Sequence, residues 1–222
     1  MAIHVTTTKR DIHWVKMLCY GSSGVGKTML SATAPKPVII SAERGLLSLA
    51  RQDVPVIEVR NLGEAREAYR YVFKSNEFLT ICLDSISELA ERILANNKKN
   101  TKDGRKAYGD MNDEVAELIR DYRDIPDKHV YMISKEVRFI DEVTNKVNYE
   151  PLMPGKTLKN DLPYFYDVVA CMRIGKTPEK KEFRYLQTQP SVQYMAKDRS
   201  GLLEAMEKPD LTKLFNKITG AK

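Results

Sequence analysis

Short apolar runs alternate with stretches of helical periodicity along most of this chain. That is the pattern of strands and helices wound into a parallel α/β sheet. Residues 14–20 form a mostly apolar, strand-like run, and residues 29–34 are helix-compatible until Pro35 and Pro37 stop them. Residues 38–41 and 54–59 read as further strands. Across residues 63–75, Ala65, Ala68, Tyr69, Val72 and Phe73 recur at helical spacing. Residues 78–84 are apolar almost throughout and end in Asp84, as expected of a strand buried on both faces. A helix follows from Ser85 to about Ala95. Residues 96–109 then turn polar and contain two glycines, which predicts an exposed, mobile loop. Helical periodicity returns over residues 110–124, with Met111, Val115, Leu118, Ile119 and Tyr122 on one face. Pro126 ends that helix, and residues 129–134 are the next buried strand.

The C-terminal third has a different rhythm. Residues 137–143 and 147–149 flank Thr144-Asn145-Lys146 as a hairpin would. Residues 167–174, 183–188 and 192–196 read as strands, the last two joined around Pro190-Ser191. A helix over residues 209–218 closes the pattern. There is no internal repeat and no low-complexity segment.

Composition narrows this picture only slightly. The 222 residues fit one domain, residues 1–222, with a sizeable core. A net charge of +6 suits a nucleic-acid partner without demanding one. Cys19, Cys82 and Cys171 each sit in an apolar run with no C-x-x-C spacing, so they are expected as small buried side chains in a reducing compartment. Lys9, Arg10 and Asp11 precede no apolar core, so no signal peptide is expected, and no apolar run reaches the length of a membrane span. The expected location is the cytoplasm, that of a host cell if the chain is phage-encoded.

Chemistry enters with Gly21-Ser22-Ser23-Gly24-Val25-Gly26-Lys27-Thr28, which fits G-x-x-x-x-G-K-[ST] at every specified position. It lies between a strand and a helix start, where backbone N–H groups converge on an anion. Gly21 to Thr28, with Met29 at the helix start, are therefore the expected nucleotide-binding residues. Lys27 would reach the outer phosphates of ATP and Thr28 would offer its hydroxyl to Mg²⁺. Such a site needs a second metal-holding group, usually an acid ending an apolar strand, and Asp84 fits. The plainer reading of Asp84 is a cap for the helix that follows. Ser85 comes next, where many ATPases carry a water-orienting glutamate. The base must then lie elsewhere: Glu43 is the first candidate, provided its strand lies beside the P-loop strand, with Glu88 and Glu136 behind it.

Together these pieces resemble the RecA recombinase core: an AAA-domain P-loop NTPase built as a three-layer sandwich, with a mostly parallel central sheet and C-terminal antiparallel strands. Val38 to Leu46, with Ala42-Glu43-Arg44-Gly45, is similar to that family's strand ending in Asp-Ala-Glu. Leu83-Asp84-Ser85-Ile86 is similar to its metal-binding strand end. The layout resembles still more the short phage recombinases of the Sak type, which carry a late Ala-Lys-Asp-Arg, here Ala196 to Arg199. The resemblance implies Glu43 as catalytic base and Lys197 and Arg199 as cations inserted into a neighbour's ATP site. It implies DNA-binding loops near residues 96–109 and 138–160, and an ATPase that acts on single-stranded DNA in recombination or annealing. The implied partners are single-stranded DNA, further copies in a filament or ring, and a single-strand-binding or annealing protein; no membrane is implied. One departure is Lys135, where RecA has a glutamine that senses the γ-phosphate; a lysine cannot accept a hydrogen bond.

The residues themselves leave other classes open. A small-molecule or nucleotide kinase shares the P-loop but needs an arginine-rich lid, for which residues 96–109 are the only candidate. A nucleotide-switched assembly protein is the third reading, and a GTPase is disfavoured because no Asn-Lys-x-Asp follows Asp84. Residues 96–109 carry Lys98, Lys99, Lys102, Arg105 and Lys106 against Asp103, followed by Tyr108, which could stack on a base. The alternative for that run is a solvated loop. His4, His13 and His129 share no partner spacing. Trp14 and Tyr164-Phe165-Tyr166 are expected to pack.

Overall fold

The computed structural model describes residues 14–43, 45–142 and 145–221, so the expectations placed on His4, His13, residues 9–11 and Thr144 lie outside it. In chain order the strands are β1 (Lys16–Tyr20), β2 (Pro37–Ser41), β3 (Val56–Glu58), β4 (Thr80–Asp84), β5 (His129–Ile140), β6 (Val147–Leu152), β7 (Val168–Lys176), β8 (Glu182–Gln187), β9 (Lys197–Asp198) and β10 (Met206–Glu207). The helices are α1 (Lys27–Ser31), α2 (Leu62–Lys74), α3 (Ile86–Asn100), α4 (Gly104–Arg123), α5 (Lys156–Asp161) and α6 (Leu211–Thr219).

The sheet runs β10-β8-β7-β1-β5-β4-β2-β3. From β7 to β3 every pairing is parallel, and β8, β10 and the short β9 add antiparallel edges. Alternate residues of the central strands serve opposite faces. Leu18, Tyr20, Ile40, Leu83 and Met132 meet α2, α3 and α4 on one side, whereas Met17, Cys19, Ile39, Cys82 and Ile133 meet α1 and α6 on the other. The result is a mixed α/β sheet with helices on both faces. All three cysteines are buried in β1, β4 and β7. His129 is buried between Trp14 and Phe215, its Nδ1 accepts from the Val15 N–H at 3.0 Å, and burial pushes its pKa down to about 4. It packs the core, and half-buried Trp14 lies edge-on against it. Phe165 and Tyr166 are also buried, but Tyr164 is exposed.

Four sequence expectations need correction. Residues 96–109 are not a loop: α3 runs on to Asn100 and α4 begins at Gly104. Ala107 and Met111 are fully buried, and the Asp103 carboxylate caps α4 by accepting from the N–H groups of Arg105 and Lys106. Packing and a cap outweigh the weak helical preference of the Asn-Lys run. Second, β2 is not the neighbour of β1, since β5 and β4 lie between them. Third, residues 192–196 form no strand; Tyr194 makes one isolated bridge to Tyr149, and the partner of β8 is instead β10. Fourth, the hairpin arms are shifted: the first pairs from Lys135 to Ile140 rather than over 137–143, and the second runs on to Leu152 rather than Tyr149. β5 leaves the central sheet, where Ser134 still pairs with Tyr20, and continues through Ile140 against β6 alone.

Helix α1 has only five residues and is closed from far along the chain. The Leu211 N–H donates to Thr33 Oγ1 at 2.9 Å, and the Thr212 hydroxyl donates to the Thr33 carbonyl at 2.6 Å. These bonds satisfy groups that a short helix leaves unpaired at its end.

Candidate functional site: a P-loop cleft

Strand β1 delivers the chain to Gly21, and the loop that follows needs glycine where it bends most. Gly24 and Gly26 have φ of 75° and 112°, in the left-handed region that side chains resist. A Cβ on Gly26 would also lie 3.2 Å from Met172 Cε. The Lys27 ammonium donates to the carbonyls of Gly21 at 2.7 Å and Ser22 at 3.0 Å. The loop borders a cleft of about 1210 Å³ that also takes in Thr28, Met29, Glu43, Asp84 and Ser85.

On the other wall, Ser41 of β2 pairs with Asp84 of β4, and the Ala42 N–H donates to the Asp84 carbonyl at 2.7 Å. This register brings Glu43 beside Asp84 although β2 is not next to β1. The Thr28 hydroxyl donates to Asp84 Oδ2 at 2.6 Å, joining the two expected metal-holding groups. Ser85 Oγ donates to Glu43 Oε1 and also caps α3 by accepting from the Glu88 N–H. The cap is therefore Ser85, and Asp84 is left free of that task. Burial, opposed by the Thr28 bond, raises the Asp84 pKa to about 6, so the carboxylate sits where a cation would restore its charge. A hydroxyl and a carboxylate are hard oxygen donors suited to Mg²⁺, and the positive-φ loop is shaped for phosphate, so Thr28, Asp84 and the P-loop fit the expected metal and nucleotide.

The rival bases are tied elsewhere. Glu88 pairs with Lys135 at 2.8 Å and Arg92 at 3.2 Å, and its pKa is lowered chiefly by the Lys135 bond. Lys135 borders the cleft and also reaches Glu91 at 2.7 Å, so it fastens the end of the central part of β5 to α3. Glu136 borders the cleft too, but is nearly buried against Arg173 at 2.8 Å. The Arg173 guanidinium lies 4.1 Å and 4.5 Å from the ring centres of Tyr149 and Tyr194. Arg173 and the cleft-lining Arg184 are the residues that sequence reasoning missed. Both stand on ordinary-looking strands: β7 sets Arg173 against Glu136, and the pairing of β8 with β7 brings Arg184 to the cleft.

Lys197 and Arg199 are not in this cleft. β9 pairs with Val168 and Val169 at the start of β7, and Met17 at the start of β1 pairs with Val168, so both cations lie at the sheet edge opposite the P-loop. The Lys197 ammonium donates to the carbonyls of Pro163 and Tyr166, each at 2.8 Å, and burial lowers its pKa. Arg199 is half-exposed, 3.4 Å from Asp167. The basic cluster sits at the α3–α4 turn, where Lys98, Lys99, Lys102, Arg105 and Lys106 are all exposed and Lys98 lies 4.9 Å from the Tyr108 ring centre.

No helix among the described residues is long and apolar enough to cross a membrane. None of the curated proteins matches the chain. A family profile described as an AAA domain matches residues 13–200. With that match across most of its length and a P-loop, Thr28 and Asp84 assembled at one sheet edge, the chain belongs to the AAA-domain family of ATP-binding, hydrolase-type P-loop NTPases.

Proposed function

We propose that this NTPase is a DNA-stimulated ATPase of the phage recombinase type, binding single-stranded DNA and assisting annealing or homologous recombination. The observation that carries this reading is the path of α3. Its first turn carries the cap that holds Glu43, and its last turn opens onto the exposed basic cluster at the α3–α4 turn. A strand of nucleic acid at one end would thus touch the helix that frames the reaction at the other.

Within the cleft, Lys27 would exchange its two loop carbonyls for phosphate oxygens. Glu43, oriented by Ser85, is the group placed to hold and deprotonate the attacking water. Thr28 and Asp84 would hold Mg²⁺, whose charge offsets that of the outer phosphates. Phosphoryl transfer relies mostly on positioning and charge, so a cation supplied by a neighbouring copy can add about 10³–10⁵ in rate. Lys197 and Arg199, remote from their own cleft, are assigned that role across a filament or ring contact, where Lys197 would first have to leave its two carbonyls.

The test is the ATPase rate with and without single-stranded DNA, at two protein concentrations. DNA stimulation that grows with protein concentration supports the proposal. Turnover that instead requires a small phosphate acceptor would make the protein a kinase. Nucleotide-dependent assembly that DNA does not affect would make it a switched assembly protein.

A further inference from the structure

The geometry points to Arg184 as a second phosphate-binding cation of the ATP site, acting within its own chain on the flank of the P-loop away from Glu43. This rests on the reading of the cleft as an ATP site. Arg184 stands on β8 opposite Ile174 of β7, two strands from β1, whereas Glu43 follows β2 on the other side of β1. From there its Nε donates to the Val25 carbonyl at 2.8 Å. Its Cδ and Nε come within 3.5 Å of where a Cβ on Gly26 would stand, so the side chain lies along the phosphate loop itself.

A guanidinium offers five N–H donors in a planar fork. The bond to Val25 uses the Nε–H, and the two terminal nitrogens meet no hydrogen-bond or ion-pair partner among the described residues. The other cations lining the cleft are engaged: Lys27 with Gly21 and Ser22, and Lys135 with Glu88 and Glu91. Arg184 borders the cleft with its terminal donors left for a ligand. A planar fork matches phosphate oxygens, and the clamp on Val25 sets its direction beforehand. The loop backbone beside it is the part that cradles the inner phosphates. Arg184 would therefore strengthen binding of ADP and ATP alike, rather than act only on the outermost group.

The test is equilibrium titration of the whole chain with a fluorescent ADP analogue, and competition by ATP, for wild type, Arg184→Gln, Arg184→Lys and Lys27→Ala. Thermal unfolding without nucleotide is measured beside it. Arg184→Gln is expected to weaken both nucleotides about tenfold or more at an unchanged unfolding temperature. Arg184→Lys, which keeps the charge but not the fork, is expected to lose clearly less affinity than Arg184→Gln. If Arg184→Gln stays within twofold of wild type while Lys27→Ala loses binding, the ATP site stands and the inference falls. Equal losses in the Gln and Lys variants, with a lowered unfolding temperature in both, would make Arg184 a brace for Val25 and also overturn it. Wild type that binds neither nucleotide would overturn the ATP reading itself.

Discussion

At its first turn α3 is packed into the molecule. Ile86, Ser87, Leu89 and Ala90 are buried, Ser85 caps the helix, and Lys135 ties Glu88 and Glu91 to the end of the central sheet. About 18–20 Å further along at helical rise, the last turn of the same helix carries Lys98 and Lys99, both exposed. One end is organised by hydrogen bonds whose geometry must be kept. The other presents charge on a surface where geometry matters little. Buried polar groups are costly to leave unpaired, whereas exposed charges are screened and interchangeable. Substitutions at the two ends should therefore fail in different ways, in rate at one and in salt-dependent affinity at the other.

The largest expected effect is at the capped end of α3, where Glu43, itself exposed, accepts from Ser85. Glu43→Gln should bind ATP and lose turnover by about a hundredfold to ten-thousandfold, the range for a general base. Near-normal turnover would move the base elsewhere, and the ion pairs of Glu88 and Glu136 make both poor substitutes.

At the exposed end, the double variant Lys98→Glu, Lys99→Glu should keep its ATPase rate without DNA. Its affinity for single strands should fall, and the slope of log K against log salt should flatten by about 1.4, because each lysine that neutralises a phosphate contributes about 0.7. Anisotropy titrations at several salt concentrations measure both. An unchanged slope would remove the α3–α4 turn from the DNA interface.

Between the two lies Lys135→Ala, which cuts the tie from β5 to α3. The ratio of DNA-stimulated to basal ATPase should fall about twofold to thirtyfold, the span of coupling energies of 0.5–2 kcal/mol. A full ratio would mean that the two ends communicate by another route.

The smallest change is Asp103→Asn. Asn still caps α4, so stability should shift by only a few tenths of a kcal/mol, while Asp103→Ala should cost about 1 kcal/mol in denaturant unfolding. Because Asp103 is the acid within the basic run, the Asn variant should also bind DNA slightly more tightly. Tighter binding in the Ala variant alone would point to loosening of the turn rather than to charge.

What the sequence disclosed follows the same division. Gly21 to Thr28, the buried β4 ending in Asp84 and the alternation of strands and helices along the chain were legible because each is a contiguous pattern whose physics is local. The start of α4 at Gly104 was not, since Ala107 and Met111 hold it by packing against distant residues. Glu43 was placed correctly at the sheet edge for a reason that did not hold: it reaches the site through the β2–β4 register, not by adjacency to β1. Arg184 left no local mark at all, because an arginine on an edge strand reads as solvated until a pairing of strands lays it on the loop.

The bonds from Leu211 and Thr212 to Thr33 have a further consequence for how the protein is made. Their partners are 178 and 179 positions apart. At ribosomal speeds of about 5–20 residues per second, the phosphate loop emerges some 10–40 s before the helix that closes it. During that interval the nascent chain carries the binding motif with the end of α1 unsealed. The motif is thus synthesised well before the helix that seals the end of α1.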